Sequence, residues 1–114
     1  MKYVMLLVGS EAEWESGTPE EIEAGMREVF AWFEKWGPTG KIADGGARLD
    51  RAATAKTIRP GAVVTDGPFA DLKEAIGGIV MLEADSIDDA VAVARTWPRL
   101  TGSTKVEVRP IIEM

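Results

Sequence analysis

The spacing of apolar residues predicts an α+β fold made of two strand–helix–strand units in tandem. Three observations carry that expectation. Lys2 to Val8 is an extended run with apolar residues on both faces. Thr18 to Trp36 reads as a capped helix with one broad apolar stripe. The strand-then-helix order then recurs from Gly78 to Trp97, and a last extended run, Thr104 to Ile112, closes the chain.

In the first strand, Tyr3, Met5 and Leu7 point to one face and Val4, Leu6 and Val8 to the other, because strand side chains alternate. Apolar residues on both faces predict a strand covered on both sides. The opening MKYVMLLVGS has one basic residue and no small-residue cleavage site before Glu11, so it reads as this strand rather than as a secretory signal. Gly9 to Gly17 is expected as an acidic loop around Trp14. Thr18 is an N-cap, Pro19 suits the first helical position, and Glu21 completes a capping box. Ile22, Met26, Val29, Phe30, Phe33 and Trp36 form the inner stripe, and Gly37-Pro38 ends the helix.

Lys41 to Leu49 is a short strand whose Gly45-Gly46 pair marks a bulge or a close backbone approach. Arg51 to Arg59 is extended, Pro60-Gly61 turns, and Ala62 to Thr65 returns as its hairpin partner. In the DGPF turn that follows, Pro68 pushes Gly67 towards extended geometry. Asp66 is expected to fold onto backbone N–H groups, and Phe69 to anchor the turn to a core. Leu72 to Ile76 reads as one helical turn, and Gly77-Gly78 lead into the strand Ile79 to Ala84. Ser86 with Asp89 starts the second helix, whose inner face is Ile87, Ala90, Val91, Ala94 and Trp97, with Pro98 as its stop. Pro110 places the final strand at an edge, or at least at a point without a ladder N–H donor.

Composition narrows function by exclusion. The 114 residues fit one domain, residues 1–114, and 46% apolar with 28% charged residues is a globular balance. No apolar run is long enough to span a membrane. A net charge of −6 without a Lys/Arg cluster argues against a nucleic-acid partner. No cysteine is present, which excludes disulfide and thiolate chemistry and agrees with a cytoplasmic location. The absence of histidine removes the commonest general base and transition-metal ligand. Asp85, Asp88 and Asp89 lack the spacing of an EF-hand loop and are read as acidic residues favouring a helix N-terminus, so no metal site is expected. No cofactor motif is found.

The element order is that of the ferredoxin-like split βαββαβ arrangement with an inserted β-hairpin. Both helices then cover one face of an antiparallel sheet, and the second apolar face wants a partner, most simply an identical chain. The segments KYVMLLV, VTDGPFADLKEAIGG, IVMLEADSIDDAVAVA and VEVRPI resemble the YCII-related family, in its DGPF branch, over nearly the whole chain. That resemblance implies a dimeric α/β-barrel, in which two ferredoxin-like sheets face each other. Some members carry a His–Asp pair proposed as catalytic, which this histidine-free chain does not have. Some branch members are encoded beside extracytoplasmic-function sigma factors, so association with a sigma-factor system is implied by resemblance alone.

Two functions follow as expectations. One is a homodimer that binds a small ligand or regulates, with its pocket beside the DGPF turn and Asp66, Lys73 and Arg109 as ligand-binding residues. Lys73 and Arg109 would hold an anionic group, and Asp66 would orient one of them. The other is a cofactor-independent enzyme of isomerase or oxygenase type, using Asp66, Glu74 or Glu83 for carboxylate acid–base chemistry.

Overall fold

Three hydroxyl side chains decide where the helices start. Ser10 accepts the Glu13 N–H and opens α1 (Glu11–Glu15). Thr18 accepts the Glu21 N–H and opens α2 (Pro19–Trp36), with Pro19 in its first turn. Ser86 accepts the Asp89 N–H and opens α3 (Ile87–Ala94). The acidic stretch expected as loop therefore contains a helical turn, because Ser10 supplies a cap. The second long helix stops at Ala94 rather than running to Trp97. There the N–H groups of Thr96 and Trp97 reach back only three residues, to Val93 and Ala94, and the last turn tightens.

The computed structural model describes residues 1–70 and 73–114. Its main sheet joins β1 (Lys2–Gly9), β2 (Ile42–Arg48), β5 (Ala75–Glu83) and β6 (Lys105–Pro110). The spatial order is β2-β5-β1-β6, and every neighbouring pair is antiparallel. This is an α+β architecture compatible with a ferredoxin-like fold. Between β2 and β5 in sequence, β3 (Lys56–Arg59) and β4 (Val63–Asp66) pair as a separate two-stranded sheet. The helical turn expected over Leu72–Ile76 begins outside the described residues, since Asp71 and Leu72 are not among them. Ala75 and Ile76 belong to β5, opposite Gly9 and Val8.

Register assigns every side chain to a face, because residues directly opposite share one. Tyr3 faces Leu82, Met5 faces Val80 and Leu7 faces Gly78, and the first four are buried beneath the helices. On the other face Val4 meets Met81 and Leu6 meets Ile79, and these four are only half-buried. The molecule measures 44 × 43 × 19 Å, the thickness of one sheet and one helical layer. No helix of the described residues is long and apolar enough to cross a membrane.

The buried aromatic of α2 is Trp32, which the sequence stripe omits, whereas Phe30 is 60% exposed. Contact with α3 decides this. Trp32 packs edge-on against Trp97 at 5.0 Å and against Phe33 at 5.1 Å. The indole N–H groups of Trp32 and Trp36 both donate to Thr96 Oγ1 at 2.9 Å, and the Thr96 hydroxyl donates to the Val93 carbonyl at 2.6 Å. That hydroxyl thereby uses its one proton and both lone pairs.

Lys41, just before β2, closes the other side of α3 by donating to Asp89 at 2.6 Å. The Lys41 bond and the Asp85 N–H hold the Asp89 carboxyl below its ordinary 3.8. The same bond to Asp89 raises the Lys41 ammonium above 10.5. A lowered carboxyl adds stability above its ordinary value and loses it as pH falls through the lowered one, whereas a raised ammonium's contribution is lost only as pH rises beyond 10.5. Asp89→Asn is therefore expected to melt below the parent chain at neutral pH, and the gap should close as pH drops beneath 3.8. Thermal melts across the acid range check this. A gap that persisted in acid would show that the Asp89 charge is not what holds α3.

Candidate functional site

The row of side chains under α2 shrinks along the sheet, and a cavity opens where it does. Tyr3, Met5, Val80 and Leu82 fill one end, but Leu7, Gly78 and Gly9 follow at the other. With no side chains from Gly45, Gly77 or Gly78, a cavity of about 450 Å³ remains between the sheet and α2. Ile22, Met26, Val29 and Phe33, one turn apart along α2, form its roof. The C-terminal half of the helix is seated in the core, and the N-terminal half spans a gap.

Trp14 of α1 makes the end wall. A Cβ atom built on Gly77 would stand 2.6 Å from its ring, and one on Gly9 would stand 2.7 Å away, so two bare positions let the indole lie on the sheet. Its N–H donates to Thr104 Oγ1 at 2.9 Å. The turn carrying it is tied to the same segment: the Ser10 N–H donates to Ser103 Oγ at 2.8 Å and the Ser103 N–H to Glu13 Oε1 at 3.3 Å. On the opposite side Gly46 has φ +67°, and a side chain there would collide with the Ile79 carbonyl. The bulged β2 therefore lies directly against β5 and supplies Gly45, Ala47 and Arg48 to the lining.

Four charged side chains line the cavity: Glu13, Glu21, Arg48 and Arg99. Three are engaged. Glu13 accepts the Ser103 N–H, and Glu21 accepts the Thr18 hydroxyl at 3.3 Å. Arg99 grips Glu28 through Nε at 2.8 Å and Nη2 at 3.3 Å, and Glu28 holds its guanidinium above the ordinary range. Arg99 also sits at φ +63°, a costly backbone conformation for a residue with a side chain. Arg48 differs. Among the described residues its one hydrogen-bond partner is the Met26 thioether, 3.9 Å away.

None of the residues expected from sequence lines this cavity. Asp66 ends β4, is 89% exposed and, among the described residues, accepts from Lys56 Nζ at 2.5 Å rather than from backbone N–H groups. Lys56 stands directly across the hairpin from it, and the charged partner prevails. Gly67 takes φ +86° instead of an extended value, and its N–H donates to the Ala55 carbonyl at 2.7 Å. Phe69 is 74% exposed and so is not seated in the core of the described residues. Glu74 accepts from Lys105 at 2.7 Å, Glu83 holds the amino terminus at 2.9 Å, and Arg109 donates to Glu107 at 2.6 Å. Lys73 is exposed, beside the two residues outside the description. Register places Glu83 opposite Lys2 and Arg109 opposite Val4, whereas Glu74 precedes Ala75, opposite Gly9. Glu74 and the Glu83–Arg109 pair thus occupy opposite ends of the sheet, and Asp66 lies on the separate hairpin.

Trp14, Arg48, Arg99 and Thr104 are the polar and aromatic lining that sequence reasoning passed over. The available signal is the two glycine pairs: 45–46 marks a bulge or a close backbone approach and 77–78 leads into a strand, and neither states what lies above it. Among the described residues no group of three or more His, Cys, Asp or Glu side chains is placed to hold a metal ion.

Comparison with known proteins matches residues 1–114 to the model of the YCII-related domain. An uncharacterized protein of Rhizobium meliloti (strain 1021) is 35% identical over 115 residues, covering 97% of this chain and 92% of that one.

The glycine floor makes a testable demand. Gly77→Ala forces a methyl group into the Trp14 ring and is expected to cost about 1–3 kcal/mol, the range for overpacked sites. Urea unfolding measures it. Unchanged stability would contradict the seat described for Trp14.

Proposed function

The chain belongs to the YCII-related family, and on that premise we propose that it is a small-ligand-binding homodimer. The observation that carries the reading is the cavity under α2. Its volume, near 450 Å³, and its mostly apolar lining with a few convergent polar groups are those of small-molecule sites. Binding is favoured over acid–base catalysis because no charged side chain among the described residues is fully buried. Burial is one of the main ways a carboxylate is tuned for proton transfer, and none of these carboxylates has it.

The second sheet face supports the dimer. Val4, Leu6, Ile79 and Met81 form an apolar strip, edged by Lys105, Glu107 and Arg109 of β6. Packing this face on its twofold copy makes the dimeric α/β-barrel that the DGPF-branch resemblance implies. Ile58, Val63, Val64 and Phe69, exposed on and beside the hairpin, extend the surface that a second chain can cover.

Two measurements test the proposal. Light scattering at micromolar concentration is expected to return twice the 12.3 kDa chain mass, and Leu6→Lys a single chain with unchanged circular dichroism. A monomeric parent protein would overturn the dimer. A thermal-shift panel of small apolar metabolites should raise Tm by mass action on the folded state. A panel that moves Tm nowhere would overturn the binding reading.

A further inference from the structure

The charge inventory of the cavity identifies the chemistry of its occupant. Glu13 and Glu21 are engaged with protein donors, and Arg99 is clamped on Glu28. Arg48 presents five N–H donors, and among the described residues it spends them on one thioether, a weak acceptor. Its position explains why it reaches the cavity. Arg48, an exposed residue, ends β2 directly opposite Gly78 on the helix face, beside Leu7, and its guanidinium reaches the Met26 thioether in the cavity lining. The remaining lining is mostly aliphatic and glycine, with hydroxyls from Ser16, Thr101 and Thr104 and three aromatic rings, Trp14 at the wall and Phe33 and Trp97 meeting edge-on at 6.2 Å.

We infer that this cavity takes a small monoanion with a flat apolar body, an aromatic carboxylic acid or its equivalent. Arg48 holds the anionic group, and Trp14, Phe33 and Trp97 enclose the body. A planar guanidinium grips a carboxylate through two parallel bonds, and aromatic walls favour a flat partner. The chain carries a net charge of −6, so its overall field repels anions and the selectivity rests on Arg48 locally. The inference rests on the cavity being a binding site, and the test separates the two claims.

The probes are 1-anilinonaphthalene-8-sulfonate and N-phenyl-1-naphthylamine, the same ring body with and without an anionic group. Each is titrated by fluorescence into the parent protein, Arg48→Gln, Arg48→Lys and Gly45→Val. A Cβ at Gly45 meets only the Phe33 ring, at an ordinary 3.8 Å, so Gly45→Val narrows the cavity beside Phe33 without a backbone clash. The sulfonate probe is expected to bind the parent more tightly than the neutral one. Arg48→Gln should weaken the sulfonate about tenfold or more, as loss of a charge-assisted bond does, and leave the neutral probe unchanged. Arg48→Lys should recover part of the loss, and Gly45→Val should weaken both probes alike. Equal binding of the two probes, with Arg48→Gln leaving the sulfonate unaffected, would overturn the anion class while sparing the cavity as a site. Failure of both probes to bind, or affinities that Gly45→Val leaves unchanged, would overturn the site itself and the inference with it.

Discussion

How α2 sits on the sheet depends on one row of side chains. From Tyr3 and Leu82, through Met5 and Val80, to Leu7 and Gly78, the row loses bulk step by step. A rigid helix cannot follow that slope, so it is supported at its C-terminal end and bridges a gap at the other. The support is specific. Thr96 receives the indole N–H groups of both Trp32 and Trp36, and Trp97 fits edge-on between the aromatic rings. The gap does not collapse, because Trp14 props its far end and is itself tied to Thr104. The cavity is thus a consequence of how the core is built rather than an addition to it.

The two faces of the sheet solve the same problem differently. β1 and β5 carry apolar residues on both sides, and burying apolar surface is the main drive for folding and association alike. The helices satisfy one face inside the chain. The other face carries Val4, Leu6, Ile79 and Met81 with a charged row along one edge, a pattern suited to a closed interface with polar margins. On this account assembly and ligand binding use opposite faces of β1 and β5. A ligand under α2 therefore need not compete with a partner chain.

Much of this architecture was legible in the sequence. Thr18 with Glu21 and Ser86 with Asp89 marked the helix starts because capping is local chemistry. Pro110 marked an edge strand because it lacks a ladder donor, and β6 is at the edge. What escaped depends on contacts between distant segments. Helical periodicity cannot separate Phe30 from Trp32, because the choice is made by α3. Asp66 carries an obvious local role in capping, yet Lys56 across the hairpin takes its carboxylate. The site was the least legible part, since it is defined by missing side chains. Gly45, Gly77 and Gly78 say nothing of a cavity until the fold places them beneath one helix.

The four tryptophans allow a direct test of the central claim, that the space under the N-terminal half of α2 is a binding site. Trp14 and Trp97 line it, whereas Trp36 lies beyond the cavity and points its indole N–H at Thr96. In proton–nitrogen correlation spectra of the indole groups, titration with 1-naphthol is predicted to move the Trp14 and Trp97 resonances and leave Trp36 in place. Movement of Trp36 alone, or of none of the four, would contradict the account.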